Sequence, residues 1–141
     1  MRLNHFTCDH AHASIGQAGL LAPLRQLGDI TKLDPRYRFM GDLIWFTDLD
    51  SPNGCGLERF VLHCDRRAHC YRVDDEDMGL AVRWLDYSRE HLTEHRAVLR
   101  DLNLAPGALP GHWWVATQPV SVTYDPAWNP PRRNPTPNRS N

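Results

Sequence analysis

Two stretches of this chain concentrate side chains able to hold a metal or move a proton: "CDHAH", with Cys8, His10 and His12, and "HCDRRAHC", with His63, Cys64, His69 and Cys70. Thiolate and imidazole are zinc ligands, but no CxxC pair occurs. His63 and Cys64, neighbours on an extended strand, would point to opposite faces. Residues 91–95, "HLTEH", match the HxxEH order of inverted zinc peptidases, with Glu94 in the place of the base. The downstream glutamate such a site needs is missing, since only Asp101 and Asp125 follow as acids. The expectation is therefore no metal site, and a solvated helix face for His91 and His95.

Other chemistries leave weaker marks. No nucleophile elbow is present, and "GCG" at 54–56 lacks the further glycine and following helix of a phosphate-cradling loop. Arg36, Tyr37, Arg38 and Phe39 alternate cations with rings, the residue types that hold phosphates and stack on bases of single-stranded nucleic acid. A net charge of -1 supplies no general attraction for nucleic acid, so any such contact must be local.

These residues need elements to position them. At 141 residues the chain is long enough for one domain with a real core. "LNHFT" reads as a strand that sets Leu3, His5 and Thr7 on one face. A helix over "HAHASIGQA" follows, with Asp9 as its cap and Gly19 at its left-handed end. Residues 24–42 show no sustained period and read as a long surface excursion, whereas "LIWFTDL" at 43–49 is the clearest strand. "ERFVLHCD" and "AHCYRVDD" read as two more strands. Ala81, Trp84, Leu85, Leu92, Val98, Leu99 and Leu102 recur at helical spacing over 78–102. "HWWVATQPVSVTYD" returns to strand, with Pro119 at an edge or bulge. Residues 126–141, rich in proline and arginine and without an acid, read as a flexible tail after a domain over 1–125. The first twenty residues hold no apolar leader and no apolar run reaches membrane length, so the expectation is a cytoplasmic protein that makes no membrane contact, its cysteines reduced.

Taken in order, "HFT" before a helix and "GLLAP", then "LIWFTD", then "CYRVDDED" and "WWVATQPVSV", resemble the motifs of ADP-ribosyltransferase-fold proteins, in particular the small rifampin ADP-ribosyltransferases and the DNA-targeting toxins. The resemblance spans residues 3–124. It implies an α+β fold, a pair of small, mainly antiparallel sheets with flanking helices and NAD in the cleft between them. It further implies transfer of ADP-ribose to an unidentified acceptor (protein, nucleic acid or small molecule), the activity of a toxin or defence effector. Loss of nicotinamide leaves an oxocarbenium-like centre, which demands positioning and a nearby negative charge.

Carried over, His5 orients a ribose, Thr7 helps the same pocket, Trp45 offers an aromatic face to nicotinamide and Thr47 braces it. The catalytic positions fall to Gln118, where the family has a carboxylate, and to Asp86, with Asp77 and Asp125 as further sources of charge. Arg36, Tyr37 and Arg38 would face a nucleic-acid acceptor. Two alternatives share the motifs: an NAD-dependent RNA 2'-phosphotransferase, which needs Arg25 or Arg38 at the RNA phosphate, and a non-catalytic module that binds a nucleotide or partner, for which neutral Gln118 speaks. A strand histidine at position 5 also suits a purely internal role, bonded to a backbone carbonyl.

Overall fold

In the computed structural model, which describes residues 1–28, 31, 34–55 and 66–130, seven strands form one antiparallel sheet. In chain order these are β1 (Asn4–Thr7), β2 (Leu20–Leu21), β3 (Ile44–Thr47), β4 (His69–Val73), β5 (Val82–Arg83), β6 (Trp113–Ala116) and β7 (Val120–Tyr124). The helices are α1 (Asp9–Ala18), α2 (Leu24–Leu27), α3 (Trp84–His91) and α4 (Arg96–Asn103). The α+β class and the antiparallel pairing agree with expectation. The order across the sheet is β2-β7-β4-β1-β3-β6-β5, so hydrogen bonding runs unbroken through what was expected to be a pair of sheets. Strand β7 makes the join by pairing Tyr71 with Tyr124 on β4 and Leu21 with Val120 on β2. No helix among the described residues is long and apolar enough to cross a membrane.

Each strand alternates, and the two faces carry different cores. One, built on Leu3, Ile44, Phe46, Tyr71, Val73 and Val122, lies under Ile15 of α1 and the 3₁₀ helix Asp75–Leu80. The other, on Leu43, Trp113 and Val115, lies under Trp84, Leu92 and Leu99 of the α3–α4 segment. Trp84 is fully buried, and its indole N–H donates to Asn103 Oδ1 at 2.8 Å, which ties α3 to α4. Burial of such a ring stabilises by about 1.5–3 kcal/mol.

Local chemistry explains the ends of several elements. Gly19 takes φ 63° and sends its N–H to the Ile15 carbonyl, as a left-handed helix end requires. Asp9 is the first helical residue of α1, not its cap: Cys8 holds the N-cap, and the Asp9 carboxylate turns to His69. Gly54, at φ 86°, accepts from Trp113 Nε1 at 2.8 Å and from Leu109 N at 2.9 Å; a Cβ there would meet the Leu109 side chain at 2.8 Å.

Three expectations are corrected. The single helix over 78–102 is a 3₁₀ turn, the edge strand β5 and two helices, because the buried Leu92 leaves helical geometry (φ -122°, ψ 30°) to join the same core as Leu99. The surface excursion at 24–42 contains α2 and a 3₁₀ helix over Pro35–Asp42, entered through Asp34, whose side chain accepts from Arg36 N. Pro119 separates two strands instead of interrupting one. The expected strand "ERFVLHCD" and residues 131–141 of the expected tail lie outside the described residues.

Candidate active site

His5 stands near the middle of the sheet, on β1, facing α1. The register extends that position into a row across six strands. Tyr71 lies opposite His5, and Tyr124 opposite Tyr71. On the other side, the pairing of Asn4 with Thr47 sets Phe46 beside His5, with the rings edge to face at 6.0 Å. Trp114 follows opposite Phe46, and Arg83 opposite Trp114, its guanidinium 4.9 Å from the indole centre. Phe46 and Tyr71 are buried, His5 and Trp114 half-buried, and Tyr124 is exposed. Neighbouring rings of the row are close enough for the tilted and edge contacts that aromatic pairs favour.

The protonation of His5 follows from its partner. Its Nδ1 lies 2.8 Å from the Trp45 carbonyl oxygen, which only accepts, so Nδ1 carries the hydrogen. Burial lowers the pKa below 6.5 against that stabilising bond, and the nearby Arg66 charge lowers it further. The ring is therefore neutral near pH 7, with Nε2 left as an acceptor. The internal bond foreseen for a strand histidine exists, and it occupies one nitrogen of two.

Thr7 shares this face, buried and opposite His69. Trp45 and Thr47 do not. They project from the opposite face, where Trp45 packs against Trp84 (ring centres 4.5 Å) and Trp113 (5.9 Å) and its buried Nε1 finds no partner. Thr47 Oγ1 accepts from Leu49 N at 3.2 Å and closes the turn after β3. His5 and Trp45 thus meet through the Trp45 backbone, and their rings lie on opposite sides of the sheet.

Gln118 is exposed in the bend between β6 and β7. Asp86 lies on α3, paired with Arg89 at 2.9 Å, and lines a cleft of about 380 Å³ with Tyr87, Glu90, His91 and Thr117. Asp77 accepts from Ser121 N at 2.7 Å and Asp125 from Arg72 at 3.0 Å, so both are engaged by the adjacent strands β7 and β4. The acid beside the aromatic row is Asp48, which accepts from Trp114 Nε1 at 3.1 Å and lies 2.7 Å from His112 Nδ1.

Beyond Tyr71 and Thr7 the same face carries further titratable groups. His12 and His69 stack in parallel at 3.9 Å. His69 lies between Asp9 (Nε2 to Oδ1, 2.5 Å) and Tyr124 (Nδ1 to the phenol, 3.2 Å). The Tyr71 phenol donates to the His12 carbonyl at 3.0 Å and accepts from His12 Nδ1 at 2.5 Å. Its pKa is raised, by burial first and by Tyr124 second, which keeps it a donor.

The remaining sequence candidates are dispersed. Arg36 is paired with Asp34 at 2.9 Å and lies over Tyr37, while Arg38 reaches the Thr31 carbonyl with a buried Nε. Arg25 is held by Asp42. His91 ends α3 and His95 lies in the following 3₁₀ turn, stacked on Phe39, so the pair shares no helix face. Among the described residues no three His, Cys, Asp or Glu side chains are grouped to hold a metal ion, and His63 and Cys64 lie outside them.

Phe46, Trp114 and Asp48 are not singled out by the sequence, and His12 and His69 stand out there only as possible metal ligands, not as a stacked pair. "LIWFTD" is apolar on both faces, so its alternation does not say which ring joins His5, and a slip of one residue exchanges them. That Trp114, Tyr71 and Tyr124 share the α1 face is readable only once the register is known. Compared with known proteins, the chain matches no family model, no curated protein and no solved structure.

Proposed function

We propose that the chain is an ADP-ribosyltransferase-like enzyme that binds NAD on the α1 face of its sheet and transfers ADP-ribose to an acceptor. The observation that carries this reading is the state of His5: neutral, fixed by the Trp45 carbonyl, with Nε2 an acceptor for a ribose hydroxyl in the middle of an aromatic row. The motif segments that resemble the family fall on β1, β3, β4, β6 and β7, five consecutive strands of the sheet.

In this reading Thr7 completes the ribose contact and Arg66 offers its charge to the pyrophosphate. The ring that meets nicotinamide is Trp114, on the His5 face, in place of Trp45. Asp48 supplies the negative charge that a developing oxocarbenium requires, because it is a carboxylate already turned to Trp114. Asp86 and Gln118, at the far side of β6, belong to the acceptor side.

Calorimetric titration of NAD into wild type, His5→Ala and Trp45→Phe tests the reading. Saturable binding that is lost in His5→Ala and kept in Trp45→Phe supports it. No binding by folded wild type refutes it.

A further inference from the structure

The cleft beside Asp86 lies at the edge of the sheet, and its two sides differ in chemistry. β5 is only two residues long, so the edge stops at Val82–Arg83 and α3 begins at once from the buried Trp84. That helix buries Trp84 and Ser88, which leaves Asp86, Tyr87, Glu90 and His91, at i, i+1, i+4 and i+5, along the cleft. Facing them, Val82 and Val115 pair across β5 and β6 and form an apolar floor. The cleft holds about 380 Å³, within the roughly 300–1,000 Å³ that small-molecule sites occupy.

Its electrostatics have one sign. Asp86 and Glu90 stand one helical turn apart, a spacing at which like charges repel. Arg89 answers Asp86 at 2.9 Å from outside the lining, and Glu90 lies 3.8 Å from His91 Nε2. No lysine or arginine is among the residues that line the cleft. The Tyr87 phenol senses the same field, since its pKa is raised by burial first and by the Asp42 carboxylate second. The Tyr87 and His91 rings lie 4.8 Å apart, which adds aromatic surface of the kind that attracts cations.

We propose that this cleft is a binding site for a small organic cation, a primary ammonium on a short apolar body such as an aralkylamine. An ammonium has three donors and no acceptor, which matches Asp86, Glu90 and the Thr117 hydroxyl. The apolar body is matched by the valine floor and the Tyr87 ring. An anion of the same shape meets two carboxylates and is refused. The proposal goes beyond the transferase reading and does not depend on it.

Backbone amide shifts of the labelled intact chain, titrated with phenethylammonium and separately with phenylacetate, test the site. The amine should give saturable shifts gathered on residues 82, 86–91 and 115–117, with a dissociation constant on the order of 1 mM for so small a ligand. Phenylacetate should give none there. Asp86→Asn combined with Glu90→Gln alters two exposed side chains (55% and 66%), so the fold is kept and the spectrum itself checks it. That double variant should bind the amine about tenfold more weakly, and Glu90→Gln alone about threefold. Absence of localised shifts with the amine overturns the site. Equal binding of phenylacetate, or undiminished binding by both variants, overturns the assignment of a cation. NAD enters none of these measurements, so a failure of the transferase reading is distinguished from a failure of this one.

Discussion

Replacing Tyr71 by Phe removes one oxygen from the centre of the molecule and leaves the ring in place. That oxygen is under Ile15 and the rest of α1, 1% of the residue is exposed, and it makes two hydrogen bonds, donating to the His12 carbonyl and accepting from His12 Nδ1. Because Phe fills the same space, the packing of Tyr71 between His5 and Tyr124 is kept and the change isolates the bonds. Each such bond contributes about 1 kcal/mol net, and both His12 groups lose a partner in a half-buried setting, so the loss should be about 2 kcal/mol. For a small domain with a urea slope of about 2 kcal/mol per molar, the unfolding midpoint should fall by roughly 1 M with the slope unchanged. A fall below about 0.2 M would show that water replaces the phenol at no cost. The two bonds to His12 would then not be what holds α1 over the sheet.

Three further outcomes follow from the same structure. Gly54→Ala combines a left-handed backbone with a Cβ 2.8 Å from Leu109, and should cost about 1–3 kcal/mol in urea unfolding, an effect within experimental error being the contrary result. Burial holds the His5 pKa below 6.5, so the unfolded chain binds more protons between the folded value and 6.5; the contribution of His5 is complete above 6.5 and is lost as pH falls through the folded value. Paired unfolding of wild type and His5→Gln at about pH 7.5 and about pH 5 should therefore show wild type losing more stability on acidification, and a gain relative to the variant would contradict the burial argument. The Cys70 thiol, buried beside Asn4 and Asp125, has its pKa pushed up to about 11 by burial first, so iodoacetamide should reach it only on unfolding; alkylation in the native protein at the rate of a free peptide would contradict its placement.

What was readable in the sequence was mostly local. β1, α1 with its Gly19 end, β3 and the "HCYRV" of "AHCYRVDD" are set by alternation, by a left-handed glycine and by β-branched or aromatic runs, and these signals act within a few residues. The break at Leu92 was not readable, since no glycine or proline marks it and Leu92 and Leu99 keep helical spacing while serving one core. The site divided in the same way. The shared face of His5 and Thr7 was legible from their strand. Phe46 and Trp114 needed the β1–β3–β6 register, and the meeting of Asp9 with His69 needed two segments sixty residues apart in sequence to lie together. Trp45 stood out as the more conspicuous ring, and its place on the α3 face follows from one step of alternation.

The proposal that NAD binds on the α1 face is tested most directly by backbone amide shifts of isotopically labelled protein titrated with NAD. Shifts gathered on residues 4–7, 46–48 and 113–114 are the predicted result. Shifts confined to α3, α4 and the cleft beside Asp86, or no shifts at all, would contradict the claim that His5 and the aromatic row bind the cofactor.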